Sequence, residues 1–256
     1  MKISIYIITI VLFFSFSLNA QENNENRIKS FNNFLGKEKS EAMNDAIQSF
    51  DRFLELNYKK EKKNSKRIVL FLKELLPQAK FNSTKIFSTS ENKKILQKWE
   101  KSGLRKEIWL YMNEIEKYSP NKSNNILELY PYQKPDSIYT LDLTELLPLE
   151  EELTIINTDS IEFTKSEKTI EEKTNYLTTN IFGDYLYGLN KFTDKNSLIQ
   201  KYVETRVKAG DITPFIFIPD LLEKNTDFNN PFIKRMILVE FYFKIMKDNV
   251  IQNEKK

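Results

Sequence analysis

With no cysteine and no histidine in 256 residues, the chain lacks the side chains of the usual zinc and copper sites and of Ser-His-Asp and Cys-His catalysis. Its 39 basic and 36 acidic residues are interleaved and give a formal net charge of +3, which disfavours a nucleic acid as partner. Disulfides are excluded, so stability depends on packing, and any catalysis depends on carboxylate, Lys, Tyr or Ser side chains or on an oxygen-ligated cation.

The first twenty residues have the layout of a secretory signal peptide. Lys2 precedes a nearly unbroken apolar run over residues 3–16, and the small Ala20 stands at the expected cut. The run is too short to span a bilayer of about 30 Å comfortably. Leu18 stands three places before the expected cut, where it fits a cleavage site less well than Ala would. An uncleaved membrane anchor is therefore the alternative. We expect cleavage after Ala20, export to the bacterial periplasm or exterior, and no transmembrane segment in the mature chain.

Residues 21–39 predict a flexible strap, because the segment is polar and rich in Asn. From Ser40 to Leu54, apolar residues recur at intervals of three and four, which predicts a long helix. The basic run Lys59–Arg67 then predicts a solvated turn, with a membrane-surface or polyanion patch as the alternative.

Three more helices complete a predicted N-terminal helical lobe over residues 40–119. The first spans residues 65–76, is apolar on several sides and stops at Pro77. The second spans residues 90–103 and closes with a glycine, which favours the left-handed conformation of a helix end. The third spans residues 104–118 and has apolar residues at helical spacing.

Residues 120–165 predict an irregular or small β connector. Apolar residues alternate over 137–143, and the runs 153–156 and 161–163 flank a turn at 157–160, which is typical of a β-hairpin or meander, although four prolines interrupt this region. The fold class predicted from the whole chain is mainly α, a multi-helix globular protein with that small β element in the middle, and α+β is the alternative.

Residues 166–248 predict a C-terminal helical lobe, followed by a disordered tail over residues 249–256. Four features support these helices: a capping box, a glycine after one apolar run, and two residues that precede a proline at a helix start. They are Thr169–Glu172, Gly210, Thr213–Pro214 and Asn230–Pro231. The expected helices cover 181–192, 195–209 and 231–247, and the last is apolar almost all round.

The segment 180–189 is a candidate binding site, because two of the five glycines of the chain stand there beside Asp184 and Tyr187. Glycine inside a helix costs about 1 kcal/mol, so its presence indicates close approach of another element or of a ligand. The favoured interpretation is that Asn180 or Asp184 caps a helix and that Gly188 lets a neighbouring element pack closely. Asp211, beside Gly210, is a second candidate, and capping of the following helix is its ordinary explanation.

Arg206, Arg235 and Glu240 are the remaining candidate binding residues, because each lies in a predicted helix whose other residues are largely apolar. A buried charge must be paired, which predicts an internal ion pair of Glu240 with one of the two arginines. The alternative is a ligand carboxylate held by an arginine.

The acidic residues Glu145 and Glu150–Glu152 are the candidates for general acid-base catalysis, as in the carboxylate pair of a glycoside hydrolase. A charged helix start or a solvated loop is the more ordinary explanation for them. The chain has no phosphate-binding loop, calcium-loop spacing or nucleotide-binding fingerprint. No catalytic residue, metal site or cofactor is therefore assigned.

These observations favour an exported, soluble, noncatalytic binding or interaction protein whose partner is a protein, glycan or lipid of the cell envelope. A carboxylate-dependent hydrolase acting on envelope glycan or another extracellular polymer is one alternative. A lipid or membrane-surface binder that uses the basic run Lys59–Arg67 is the other.

Overall fold

The computed structural model describes residues 24–76, 85, 87–118, 177–193, 197–210, 213–223 and 225–254. Several predictions fall outside these ranges: the leader, the β connector, the capping box, Asp211, Glu145 and Glu150–Glu152.

The described residues are mainly helical, and the predicted mainly α, multi-helix fold is confirmed. Within the described ranges, two stretches of 3₁₀-helix, Met112–Lys117 and Pro214–Phe217, and one π-helical turn, Leu238–Tyr242, separate or connect the α-helices. The α-helices of the described residues, in chain order, are α1 (24–35), α2 (Lys37–Asn57), α3 (Asn64–Leu75), α4 (Thr89–Ser102), α5 (Leu104–Ile108), α6 (Asp184–Phe192), α7 (Leu198–Ala209), α8 (Ile218–Leu221), α9 (Pro231–Ile237) and α10 (Phe243–Glu254).

Helix α1 occupies most of the segment for which the sequence predicts a flexible strap. Phe31 and Leu35 are buried in the core, and the ring of Phe31 makes edge contacts with Tyr185 and Phe232 at centroid distances of 6.2 and 5.6 Å. Phe34 packs against the same core. These three apolar residues share one helix face, so their burial stabilises a helix in an otherwise polar segment.

Helices α2, α3 and α4 agree with their predicted positions. Gly103 follows α4 with a φ of 76°, the left-handed conformation that its position predicts. Residues 58–63 connect α2 to α3, so the predicted turn Lys59–Arg67 is shorter than expected and residues 64–67 belong to α3. Helix α3 differs in one respect: Leu70 and the C-cap residue Leu76 are exposed, so the helix buries one face instead of packing on several sides.

The prediction of one helix over residues 104–118 is wrong. Helix α5 ends at Ile108, and strand β1 (Trp109–Tyr111) follows it before the 3₁₀-helix begins. Strand β1 pairs antiparallel with strand β2 (Leu177–Thr179), with Leu110 opposite Thr178.

Tertiary contacts explain this departure from the helical spacing. Arg105 donates from Nη1 to the carbonyl oxygen of Trp109 at 3.0 Å, and the backbone nitrogen of Tyr111 donates to Glu114 Oε2 at 3.0 Å. The ring of Trp109 also stacks on Phe243 at a centroid distance of 4.5 Å. These contacts stabilise an extended backbone where the isolated segment favours a helix.

Two C-terminal helical segments begin at the predicted prolines, and one of the two residues before those prolines is a side-chain cap. Asn230 Oδ1 accepts from the backbone nitrogens of Phe232 and Ile233 at 2.9 and 3.4 Å, and Pro231 occupies the first turn. Pro214 likewise begins a helical turn, but the side chain of Thr213 does not cap it. Helix α10 continues to Glu254, beyond the point at which the sequence predicts a disordered tail.

A single hydrophobic core contains residues from both predicted lobes. Trp99 of α4 is fully buried, stacks on Phe243 of α10 at 4.6 Å, and donates from Nε1 to the carbonyl oxygen of Ala42 at 3.0 Å. Helix α2 and the C-terminal helix therefore pack around the same aromatic residues. This core supports the charged side chains described next.

Candidate functional site

A buried ion pair joins helix α7 to the π-helical turn of the C-terminal helix. Arg206 donates from Nε to Glu240 Oε1 at 3.2 Å and from Nη2 to Glu240 Oε2. Tyr202, one turn before Arg206, donates its hydroxyl to Glu240 Oε1 at 2.5 Å. We call Tyr202, Arg206 and Glu240 the buried ionic cluster. It satisfies the rule that a buried carboxylate needs a cation and hydrogen bonds.

Tyr202 stays protonated in this cluster. Burial and the charge of Glu240 raise the pKa of Tyr202 well above its ordinary value. The hydroxyl is therefore a hydrogen-bond donor to the carboxylate across the accessible pH range. Arg206 and Glu240 are both candidate residues from the sequence, whereas the sequence does not distinguish Tyr202 from an ordinary core aromatic residue.

The buried ionic cluster supports the turn Pro214–Phe217. The ring of Phe217 lies edge-on to Tyr202 at a centroid distance of 5.1 Å, and the guanidinium of Arg206 lies 5.5 Å from the same ring. Phe217 is buried, whereas the two residues before it are partly exposed: Phe215, whose ring contacts Phe241 at a centroid distance of 6.4 Å, is 36% exposed, and Ile216 is 47% exposed. We call Pro214–Phe217 the apolar turn.

Arg235 is a second buried arginine, and it does not pair with Glu240. It donates from Nη1 to the carbonyl oxygen of Pro231 at 3.1 Å, and from Nη2 to the side-chain oxygens of Asn32 and Asn44 at 3.4 and 3.3 Å. Burial lowers the pKa of Arg235 to about 10. Among the described residues, its hydrogen-bond acceptors are all neutral.

The charges of both Glu240 and Arg235 act on the hydroxyl of Tyr185. Burial and the negative charge of Glu240 raise the pKa of Tyr185, and the positive charge of Arg235 opposes them. The side chain is fully buried, and its hydroxyl has no hydrogen-bond partner among the described residues. The sequence offered no signal for this tyrosine beyond its place in an apolar helix face.

The glycine-containing segment 180–189 packs against neighbouring elements. A Cβ atom on Gly183 would lie 2.0 Å from the backbone oxygen of Glu107, and one on Gly188 would lie 2.9 Å from the ring of Phe31. Close packing of a neighbour against Gly188 agrees with the favoured interpretation, but the N-cap residue of the helix is Gly183, so the predicted cap by Asn180 or Asp184 is wrong. Asp184 begins α6, where its backbone nitrogen donates to Glu107 Oε2 at 2.9 Å. Glu107 is a cap that the sequence did not reveal, because it is far away along the chain.

Tyr187 lies apart from the buried ionic cluster. Its ring stacks on Phe34 of α1 at a centroid distance of 5.7 Å and an interplanar angle of 30°. Of the candidate residues within the described ranges, Arg206 and Glu240 are in contact. Asp184, Tyr187 and Arg235 lie in other surroundings.

Searches for related proteins found no matching family model, curated protein or solved structure. Within the described ranges, no group of three or more acidic residues is placed to hold a metal ion. The helices of that same part of the chain are each too short or too polar to cross a membrane. The geometry therefore offers two features for a function: a neutralised buried carboxylate and the apolar turn above it.

Proposed function

We propose that this chain is an exported binding or interaction protein that acts without catalysis and contacts its partner through the apolar turn. One observation carries this proposal: Phe215 and Ile216 are adjacent, exposed and apolar, and they stand on a turn that Phe217 attaches to the buried ionic cluster. Export rests on the signal-peptide pattern of the first twenty residues.

Apolar side chains held on a rigid turn are suited to binding. When a partner covers such a side chain, the burial contributes about 25 cal/mol of favourable free energy per Å² of apolar surface. Pro214 begins the turn and Pro219 follows it, which restricts the backbone before binding and so lowers the entropy lost on association. These properties favour a protein partner with an apolar pocket.

The buried ionic cluster supports a structural role better than a catalytic one. The carboxylate of Glu240 already accepts hydrogen bonds from Tyr202 and Arg206, and the side chains of both Arg206 and Glu240 are buried. A general base needs a free lone pair within reach of a substrate. The hydrolase alternative depends on Glu145 and Glu150–Glu152, which lie outside the described residues.

Affinity capture from the native cell envelope, followed by titration of the recovered protein, tests the proposal. The double variant Phe215→Ser/Ile216→Ser should weaken binding by about tenfold or more, because it removes the apolar contacts at the centre of the interface. The matched control is Leu56→Ser/Leu70→Ser, which removes side chains that are 41% and 39% exposed elsewhere on the surface. Equal affinity of the two double variants would contradict the proposal, as would turnover of envelope glycan by the mature chain.

A membrane-surface binder is the second candidate, favoured by the basic turn between α2 and α3. Lys59, Lys60, Lys62 and Lys63 are all exposed, and Leu56 at the end of α2 is exposed nearby in the chain. Clustered lysines contribute about 1 kcal/mol each at an anionic bilayer. Sedimentation with anionic and zwitterionic vesicles tests this role. Binding only to anionic vesicles, and its loss when the four lysines are replaced by Gln, would support it. Equal sedimentation of the native protein and the four-lysine variant with anionic vesicles would refute it.

A further inference from the structure

Two buried hydrogen-bond donors near the ionic cluster lack a partner among the described residues: Nε of Arg235 and the hydroxyl of Tyr185. Arg235 is 4% exposed and Tyr185 is 0% exposed. Buried donors are nearly always satisfied, so this pair calls for an acceptor that the described protein groups do not supply.

The charges around these two donors also favour a negatively charged acceptor. Arg206 and Glu240 neutralise each other, and Arg235 adds a positive charge that meets only neutral acceptors in the part of the chain that the structure describes. A buried cation without a counter-charge is costly.

Helix α1 brings the two donors to the same place in the fold. Phe31 contacts the ring of Tyr185, and the next residue, Asn32, accepts from Arg235. Tyr185 and Arg235 therefore lie against adjacent residues of one helix, and the charge of Arg235 acts on the Tyr185 hydroxyl.

We propose that Arg235 and Tyr185 bind a small inorganic monoanion of the size of chloride, which accepts a hydrogen bond from each of them. An anion is the chemistry that matches two donors and one uncompensated positive charge. A single negative charge matches a single guanidinium, whereas a dianion such as phosphate would leave a buried negative charge. Because both side chains are almost completely buried, the bound species is compact.

Thermal unfolding of the full-length mature protein in sodium chloride and in sodium gluconate, at equal ionic strength, tests this site. We define the chloride increment as the Tm in chloride minus the Tm in gluconate. Ligand binding to the folded state should give the native protein an increment that saturates with chloride and exceeds that of Tyr185→Phe by about 3 °C. Tyr185→Phe keeps the ring, so its core is expected to fold; Arg235→Met is the second variant.

The matched control is Arg52→Met, which removes a half-exposed arginine paired with Glu91 and should keep the native increment. Equal increments in the native protein, Tyr185→Phe and Arg235→Met would overturn the proposal. A second measurement does not depend on any variant: crystals grown in sodium bromide should show anomalous density within hydrogen-bond distance of Arg235 and Tyr185. Crystals at saturating bromide without that density would also overturn it.

Discussion

Arg206 pairs with Glu240 across 34 positions of sequence, whereas Arg235, five positions before Glu240, contacts only neutral acceptors among the described residues. Residues three or four positions apart share a face of an α-helix, but Arg235 and Glu240 are five apart and Glu240 lies in the π-helical turn Leu238–Tyr242. From that turn Glu240 meets Arg206 of α7. The choice between the two arginines therefore depends on how the helices pack.

Replacement of Glu240 by Gln should destabilise the protein by about 3–5 kcal/mol, because Arg206 then loses its buried counter-charge. Urea unfolding gives the free energy of unfolding for comparison. The control is Glu204→Gln, which removes an exposed pair with Lys208 and should change that free energy by less than about 1 kcal/mol. Similar losses in the two variants would show that the buried pair contributes no more than a surface pair.

Replacement of Gly183 by Ala should cost about 3 kcal/mol, because the new Cβ would lie 2.0 Å from the backbone oxygen of Glu107 and the backbone must move. Gly188→Ala should cost less, about 1 kcal/mol, because its Cβ meets the ring of Phe31 at 2.9 Å and a side chain yields more readily. Denaturant midpoints measure both. The reverse order would mean that the close approach at Gly183 is relieved at little cost.

Acid should lower the free energy of unfolding because Glu114 becomes protonated. Hydrogen bonds from Arg105 hold the pKa of the Glu114 carboxyl at about 2, below its ordinary value of 4.5. Between these two values the unfolded chain binds more protons than the folded one, so stability falls as the pH falls from 4.5 towards 2. The free energy of unfolding of the native protein should therefore decline more steeply in this window than that of Glu114→Gln. Parallel curves would exclude Glu114 as the source of the decline.

The cap of helix α9 should contribute about 1 kcal/mol of stability. Asn230→Ala removes the oxygen that accepts from the backbone nitrogens of Phe232 and Ile233, and those nitrogens then lack their cap. The neighbouring Asn229 is exposed, so Asn229→Ala is the matched control and should leave the Tm unchanged. Comparable Tm losses in the two variants would assign the effect to loss of an asparagine in this loop and not to the cap.

Local spacing predicted the elements whose signals lie within a few residues. Apolar residues at three- and four-residue intervals placed α2, α3 and α7, and Gly103 and Asn230 marked helix boundaries. The same spacing failed over residues 109–117, because contacts of Trp109 with Phe243 and of Arg105 with Glu114 override it. It also failed over residues 24–35, where polar composition concealed a helix that is stabilised by burying Phe31.

The candidate site was likewise determined in part by the sequence and in part by the tertiary structure. The sequence by itself determined that cysteine and histidine chemistry is absent and that Glu240 needs a buried cation, because composition and the cost of an unpaired charge are independent of the fold. Only the tertiary structure decided that this cation is Arg206, that Tyr202 completes the cluster, and that Phe215 and Ile216 stand exposed above it. Those relationships join residues far apart in the chain, and the distances between such residues are set by helix packing.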